Sequence, residues 1–182
     1  KDIGPGNCLI DTWIRKNSKN KFDKNGRLAS LGSTNKVILE QAQELLSKKL
    51  SQKKISLDVN DFDVSFARGL SLEDGAATLT NLTAIIISSS LSSLMLSEPK
   101  KSWKILISGG GRKNKFLIKK IKENILNKSN LVPIDDYNIN GDFVESQAFA
   151  YLAVRSFLKL PISFPNTTGC SSPSTGGVLI KY

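Results

Sequence analysis

The chain has 182 residues, 40% of them hydrophobic and 23% charged, with 26 Lys and Arg against 16 Asp and Glu for a formal charge of +10. That is the composition of one folded domain or lobe rather than of a disordered segment. It contains no histidine, which excludes His-based acid–base catalysis, Ser–His and Cys–His nucleophile pairs, and His-ligated metals within this sequence.

In chain order, Asp2 to Asn7 reads as a strand end entering a glycine turn, and Asn7 is placed to cap a helix from Cys8 to Lys16. Leu9 with Trp13 and Ile10 with Ile14 give that helix an apolar face. Residues 17–35 read as a polar loop. Val37–Leu50 predicts a helix carrying the apolar residues Val37, Leu39, Ala42, Leu45 and Leu46. Residues 51–74 show no sustained period. Gly75–Leu96 predicts a long helix with Leu79, Leu82, Ile86 and Leu94 inward. Its most apolar part, Leu82–Leu96, is interrupted by five serines and is too polar and short to span a membrane.

Trp103–Ile107 predicts a buried strand that enters Ser108-Gly109-Gly110-Gly111. Arg112–Leu126 predicts a helix with Leu117, Ile118, Ile121 and Ile125 on one face and five lysines mostly on the other. Leu131–Ile134 predicts a second short strand. Asp142–Leu158 predicts a helix carrying Val144, Ala148, Tyr151 and Leu152, stopped before Pro161 and Pro165. Val178–Ile180 predicts a last strand. Helices alternate with short buried strands, so the fold class is α/β. Strands are few for so many helices, and the opening Lys1-Asp2-Ile3-Gly4 has no start signal, so the sheet is expected to begin upstream.

Four segments stand out for chemistry, the last of them, Asn166-Thr167-Thr168-Gly169-Cys170-Ser171, a polar turn that reads as an ordinary loop. The first is Asp2-Ile3-Gly4-Pro5-Gly6-Asn7, a carboxylate followed by glycines at a helix start. It could serve as a general base beside bare amides that attract phosphate, or it could be a plain strand–turn–helix connection. The second is Gly109-Gly110-Gly111-Arg112-Lys113-Asn114, which permits close backbone approach to a flat ligand, or is a flexible loop. It is neither a dinucleotide fingerprint nor a P-loop. The third is Gly141-Asp142-Phe143-Val144-Glu145, where Asp142 and Glu145 form a capping box or Glu145 reaches a sugar hydroxyl or amide. Cys8 and Cys170 have no metal-ligand spacing and fit a reducing compartment.

In this order the segments resemble the anhydro-N-acetylmuramic acid kinase family. The resemblance runs through Asp2, Gly4, Pro5, Gly6 and Asn7, then Leu9, Asp11 and Trp13, then Phe22-Asp23-Lys24 and Leu82-Thr83-Ala84. It continues through Gly109 to Gly111 with Asn114, then Gly141, Asp142, Glu145 and Ala148 to Ala153, and ends with Leu160-Pro161, Pro165, Thr168 and Gly169. It covers nearly the whole chain. The implied fold is the second lobe (residues 1–182) of an actin-like, ribonuclease-H-like two-lobed sugar kinase, a sheet flanked by helices and incomplete at its amino end.

The resemblance implies transfer of the γ-phosphoryl of ATP, with Mg²⁺, to 1,6-anhydro-N-acetylmuramic acid while water opens the anhydro bridge. Asp2 matches the general base, Gly6 and Glu145 match sugar contacts, and Gly109, Gly110, Gly111 and Asn114 match the adenosine-binding element. Gly4 lies where phosphates approach. The chain departs from the family pattern at Ile3, at Lys54-Ile55-Ser56-Leu57-Asp58 and at Phe143. The expected setting is cytoplasmic. The expected partners are that sugar, a separate amino-terminal lobe, and a second copy through an exposed lobe face. Half a cleft cannot orient a transferring phosphoryl group, so the chain alone is expected to be inactive. An inactive remnant of such a kinase is the alternative reading. A basic nucleic-acid module is a weaker one, because aromatics are only 7% and do not alternate with the basic residues.

Overall fold

Helix α4, Leu72–Ser97, is the element around which the larger part of the protein is built. In the computed structural model, which describes residues 3–52, 63–99, 102–125, 130–178 and 180, the chain divides into two compact units, Lys1–Pro133 and Ile134–Tyr182. The first unit holds α1 (Cys8–Asn17), α2 (Arg27–Leu31), α3 (Lys36–Gln52), α4, the strand β1 (Lys104–Ile107), α5 (Lys115–Asn124) and β2 (Asn130–Pro133). The second holds α6 (Val144–Phe157) and the short α7 (Pro165–Thr168). The class is therefore mixed α/β, mostly helical, with one small parallel sheet among the described residues.

The amino-terminal part of α4 is lined with small residues, so neighbouring helices can come close. Gly75, Ala76, Ala77, Thr78, Thr80, Thr83 and Ala84 are all buried there. The hydroxyls of Thr78 and Thr80 are satisfied by donating back to the carbonyls of Asp74 and Ala76, at 2.8 and 2.7 Å, whereas the buried Thr83 hydroxyl has no hydrogen-bond partner. Ser71 caps the helix by accepting from the Asp74 amide at 3.1 Å. Against this face pack Leu9, Ile10, Trp13 and Ile14 of α1, Ala29 of α2 and Ala42 of α3, forming one core. A second cluster joins Ala84 to Leu117 and Ile121 of α5 and Leu131 of β2. Ser88 ties the two helices by donating to the Ile121 carbonyl at 3.1 Å.

β1 and β2 are parallel, with Ile105 opposite Leu131 and Leu106 opposite Val132. Helix α5 connects them, as a parallel pair requires. Ile105 and Ile107 turn toward α4 and α5, and Leu106 on the other face is exposed.

Several expectations change. The loop expected at 17–35 contains α2 and a 3₁₀ turn at Lys24–Gly26. Helix α2 is short and its ordering comes from Asp23, whose carboxylate accepts from the amides of Leu28 and Ala29 at 2.8 and 2.9 Å. In α3, Val37 and Leu45 are exposed, because the buried stripe runs through Leu39, Ala42 and Leu46 at helical spacing. In α4, Leu94 is exposed while Ser88, Ser92 and Met95 face inward. Helix α5 starts at Lys115, not Arg112, because Gly110–Lys113 forms a 3₁₀ turn and Asn114 becomes the cap. Asn7 makes no side-chain cap on α1.

In the second unit, α6 begins at Val144 with Phe143 before it and no side-chain cap, so the Asp142–Glu145 box does not form. A turn with Asn138 at φ 58° and a Phe143 amide to Asn140 carbonyl bond at 3.0 Å takes up the preceding residues. No residue of α6 is buried, including Val144, Ala148, Tyr151 and Leu152. Neither Val178 nor Ile180 lies in a strand, and Leu179 falls outside the described residues. Leu126, the expected end of α5, also lies outside the described residues.

Helix α4 is the one described helix long and apolar enough to cross a membrane by length and composition. The helix is 26 residues long, so brevity does not argue against a span. Burial does, because half of its most apolar stretch is buried, as in the core helix of a folded domain.

Candidate functional site

Two glycine loops of the first unit are joined by one side-chain hydrogen bond, between Asn114 and Asn7. In the first, Gly6 takes a left-handed conformation at φ 53°, and the Cys8 amide bonds to the Pro5 carbonyl at 2.9 Å to start α1. In the second, Gly109 stands at φ 74°, ψ −179°, a conformation that an L side chain resists. The Arg112 guanidinium donates to the Gly109 carbonyl at 2.9 Å and the Asn114 amide to the Gly111 carbonyl at 3.0 Å, which close the loop.

The loops are fastened together. Asn114 is buried, and its Oδ1 accepts from the Leu117 amide at 3.0 Å as the cap of α5. Its Nδ2 then donates to Oδ1 of Asn7 at 3.4 Å. The glycines around this link serve different purposes. A Cβ on Gly4 would lie 3.0 Å from the Ile86 side chain, so glycine there permits close packing on α4. A Cβ on Gly6, Gly109, Gly110 or Gly111 would meet no atom within 4 Å. These four leave open backbone that a ligand can approach.

A cavity of about 430 Å³ adjoins the second loop. Ile107, Ile118, Leu131 and Pro133 give it an apolar lining, and Arg112, Lys115, Lys119 and Lys122 add four cations against the one carboxylate of Glu123. An apolar lining with an excess of cations suits a ligand with one flat apolar end and one anionic end. ATP is such a molecule, so the open loop and this cavity fit the nucleotide in kind. Mg²⁺ is different. Among the described residues no three side chains of the ligating types are grouped into a protein-held metal site, and Mg²⁺ that accompanies a nucleotide is commonly held by phosphates and water with only one or two carboxylates.

Asp2 lies outside the described residues. Of the other expected site residues, Gly4, Gly6, Gly109, Gly110, Gly111 and Asn114 all belong to the first unit, and the Asn7–Asn114 bond links their two segments. Glu145 belongs to the second unit, exposed in the first turn of α6. The Asn7–Asn114 link joins residues distant in sequence, and no local pattern announces it. Asn114 as a cap was detectable, because it stands just before the apolar period of α5.

Asp11, in the first turn of α1, is a perturbed group beside the first loop. Burial raises its pKa above the ordinary carboxylate value, the Arg15 charge opposes that, and the Asp23 charge adds to it. Burial also raises the Cys8 thiol, with Asp11 reinforcing it, so this thiol stays protonated and inert near neutral pH. A carboxyl with a raised folded-state pKa binds its proton more tightly when folded, so its favourable contribution is present below the unfolded value and is lost as pH rises through the folded value. Asp11→Asn is therefore expected to match the parent's stability below about pH 3 and exceed it near pH 7. Melting temperatures across that range check this. An equal difference at both ends would remove the burial argument.

The sequence was compared with known proteins. The family model "Anhydro-N-acetylmuramic acid kinase" matches residues 1–182. The chain is 51% identical over 180 residues to the anhydro-N-acetylmuramic acid kinase of Pelagibacter ubique, covering 99% of this chain and 48% of that protein. It is 40% identical over 182 residues to the protein of that name from Zymomonas mobilis, covering 97% and 46%. It is 38% identical over 181 residues to that of Methylobacterium nodulans, covering 99% and 46%. The chain spans about half the length of these curated relatives.

Proposed function

The chain belongs to the anhydro-N-acetylmuramic acid kinase family, and on that premise we propose that it supplies half of an active site acting on ATP and 1,6-anhydro-N-acetylmuramic acid. In the proposed reaction, water adds to C1 of the sugar and the C1–O6 bond of the anhydro bridge breaks. O6 takes the γ-phosphoryl group and ADP leaves, so the products are N-acetylmuramic acid 6-phosphate and ADP. Asp2 receives the proton that the attacking water gives up. A carboxylate can do this where it sits within hydrogen-bond reach of the water.

The open backbone of Gly109–Gly111 takes the flat end of the nucleotide, and Gly4 lies beside its phosphates. Gly6 and Glu145 contact the sugar. Mg²⁺ accompanies ATP in phosphoryl transfer generally, where it offsets charge. No step here is assigned to a protein-held ion. The complementary half of the site comes from a polypeptide matching the rest of the relatives' length, and a cytoplasmic location is part of the same reading.

The observation that carries this reading is the Asn7–Asn114 bond, which holds the loop after Asp2 against the triple-glycine loop. Its test is Gly110→Val. Space around this position is open, so stability should change by less than about 0.5 kcal/mol, as for a surface substitution. A side chain standing where the nucleotide approaches should nevertheless weaken Mg·ATP binding by about tenfold or more, an effect of roughly 1.4 kcal/mol. Calorimetric titration measures this. Unchanged affinity at unchanged stability would remove the loop from the site.

A further inference from the structure

We propose that Asn114, Asn7 and Gly26 form a clamp that sets the spacing of the two glycine loops, which makes Asn114 a positioning residue that acts without touching the nucleotide. The inference rests on reading the loops as one site. It assigns Asn114 a different task from the ligand contact that the family resemblance implies.

Three observations carry it. First, Asn114 is only 4% exposed, and both ends of its amide are already used. Oδ1 accepts from the Leu117 amide, which fixes the amide's orientation, because only the oxygen can accept. Nδ2 is thereby aimed at Asn7. Each end keeps one further position, the second N–H of Nδ2 and the second lone pair of Oδ1, but with the side chain 4% exposed a ligand has little access to either.

Second, Asn7 stands at the N-cap position of α1 without capping it. Its side chain is spent across the gap between loops, on Asn114. Third, Gly26 backs the clamp. It holds φ 73°, and a Cβ there would lie 2.7 Å from the Phe116 Cβ and 3.0 Å from the Phe116 amide, besides striking the Asn114 side-chain oxygen. Gly26 is held in turn by its own amide bond to the Asp23 carbonyl at 3.2 Å, and Asp23 is anchored to α2. The chain of contacts therefore runs from the body of the first unit through Asp23 and Gly26 to Asn114, and from there to Asn7 and Gly6. A change at either asparagine should loosen both loops.

Hydrogen exchange on the whole 182-residue chain tests this, read in peptides covering Gly4–Asp11 and Gly109–Leu117. Asn114→Ser keeps a hydroxyl able to cap α5 but is too short to reach Asn7. Asn7→Ala removes the partner. Asn7→Asp keeps an acceptor for Nδ2. The expected result is that N114S and N7A each speed exchange in both loops by at least fivefold, whereas N7D behaves as the parent. Faster exchange confined to the loop that carries the change overturns the clamp, as does a parent-like N114S. Should N114S fail to fold, N7A and N7D alone decide it through the Gly109–Leu117 amides.

Mg·ATP affinity is measured on the same proteins. A fall with N114S and N7A that N7D restores supports positioning. Loosened loops with unchanged affinity overturn it. Coupled exchange in a parent chain that binds no ATP supports the clamp and counts against the nucleotide reading, so the two failures remain distinct.

Discussion

Gly75→Ala is expected to destabilise the protein by about 2 kcal/mol in the parent and to become neutral or stabilising once Trp13 is replaced by alanine. Gly75 lies in the first turn of α4 with the Trp13 indole lying across it. A Cβ there would sit 2.6 Å from the indole nitrogen and closer still to the ring carbons. The ring cannot retreat cheaply, because Nε1 donates to the Leu72 carbonyl at 2.9 Å and the side chain is 4% exposed within the main core. An added methyl group therefore forces a core side chain off its position, which typically costs about 1–3 kcal/mol, with the hydrogen bond at risk besides. Against this stands the better helix propensity of alanine, about 1 kcal/mol. Trp13→Ala alone should cost about 3–5 kcal/mol as a buried aromatic truncation. With the indole gone, only the propensity term remains at position 75. Urea denaturation of the four proteins in this cycle measures the coupling. An equal cost for Gly75→Ala in both backgrounds would show that the indole is not what demands glycine.

That pair also shows where sequence reading stops. The apolar spacing of Leu9, Ile10, Trp13 and Ile14 was enough to locate α1 and its inward face, because a helix advertises its buried stripe locally. The strands at Lys104–Ile107 and Asn130–Pro133 were found within a residue or two from their short apolar runs, but the first was expected to be buried and no residue of it is. Helix α2 was not, since five residues carry no period and its order depends on the Asp23 carboxylate. The glycines divide in the same way. Gly75 and Gly32 are required by neighbours far along the chain: Trp13 for one, and for the other the backbone at Glu73 and Asp74, whose Asp74 amide a Cβ on Gly32 would approach to 2.7 Å. Gly109 to Gly111 are free of such neighbours, and nothing in the residue string separates the two kinds. The two loops were legible as motifs, but their junction through Asn7 and Asn114 is a tertiary fact. Helix α6 has no buried residue although nine of its residues are apolar, so its apolar spacing did not tell which side faces inward.

The largest functional effect should appear when the chain is assayed alone and then with its complement. Phosphoryl transfer needs little covalent work from a protein. Its catalysis is almost wholly positioning and charge stabilisation, and both vanish if either wall of the cleft is missing. On the proposed reading the open glycine loops supply one wall of that cleft, and the half of the relatives that this chain does not match supplies the other. The 182-residue chain alone should therefore show no phosphoryl transfer from ATP to 1,6-anhydro-N-acetylmuramic acid above the uncatalysed background. Co-expression with the portion of the Pelagibacter ubique relative that this chain does not cover should bring turnover. Asp2→Asn in that pair should then lower kcat by about 10²–10⁴-fold, the usual worth of a positioned general base. ATP affinity should be little changed, since the lost proton acceptor matters only as water attacks. Equal losses in kcat and kcat/KM would mark a group used in the transition state rather than in binding. Robust turnover by the chain alone would refute the divided site, and an undiminished Asp2→Asn pair would take the proton from Asp2 and give it to another base.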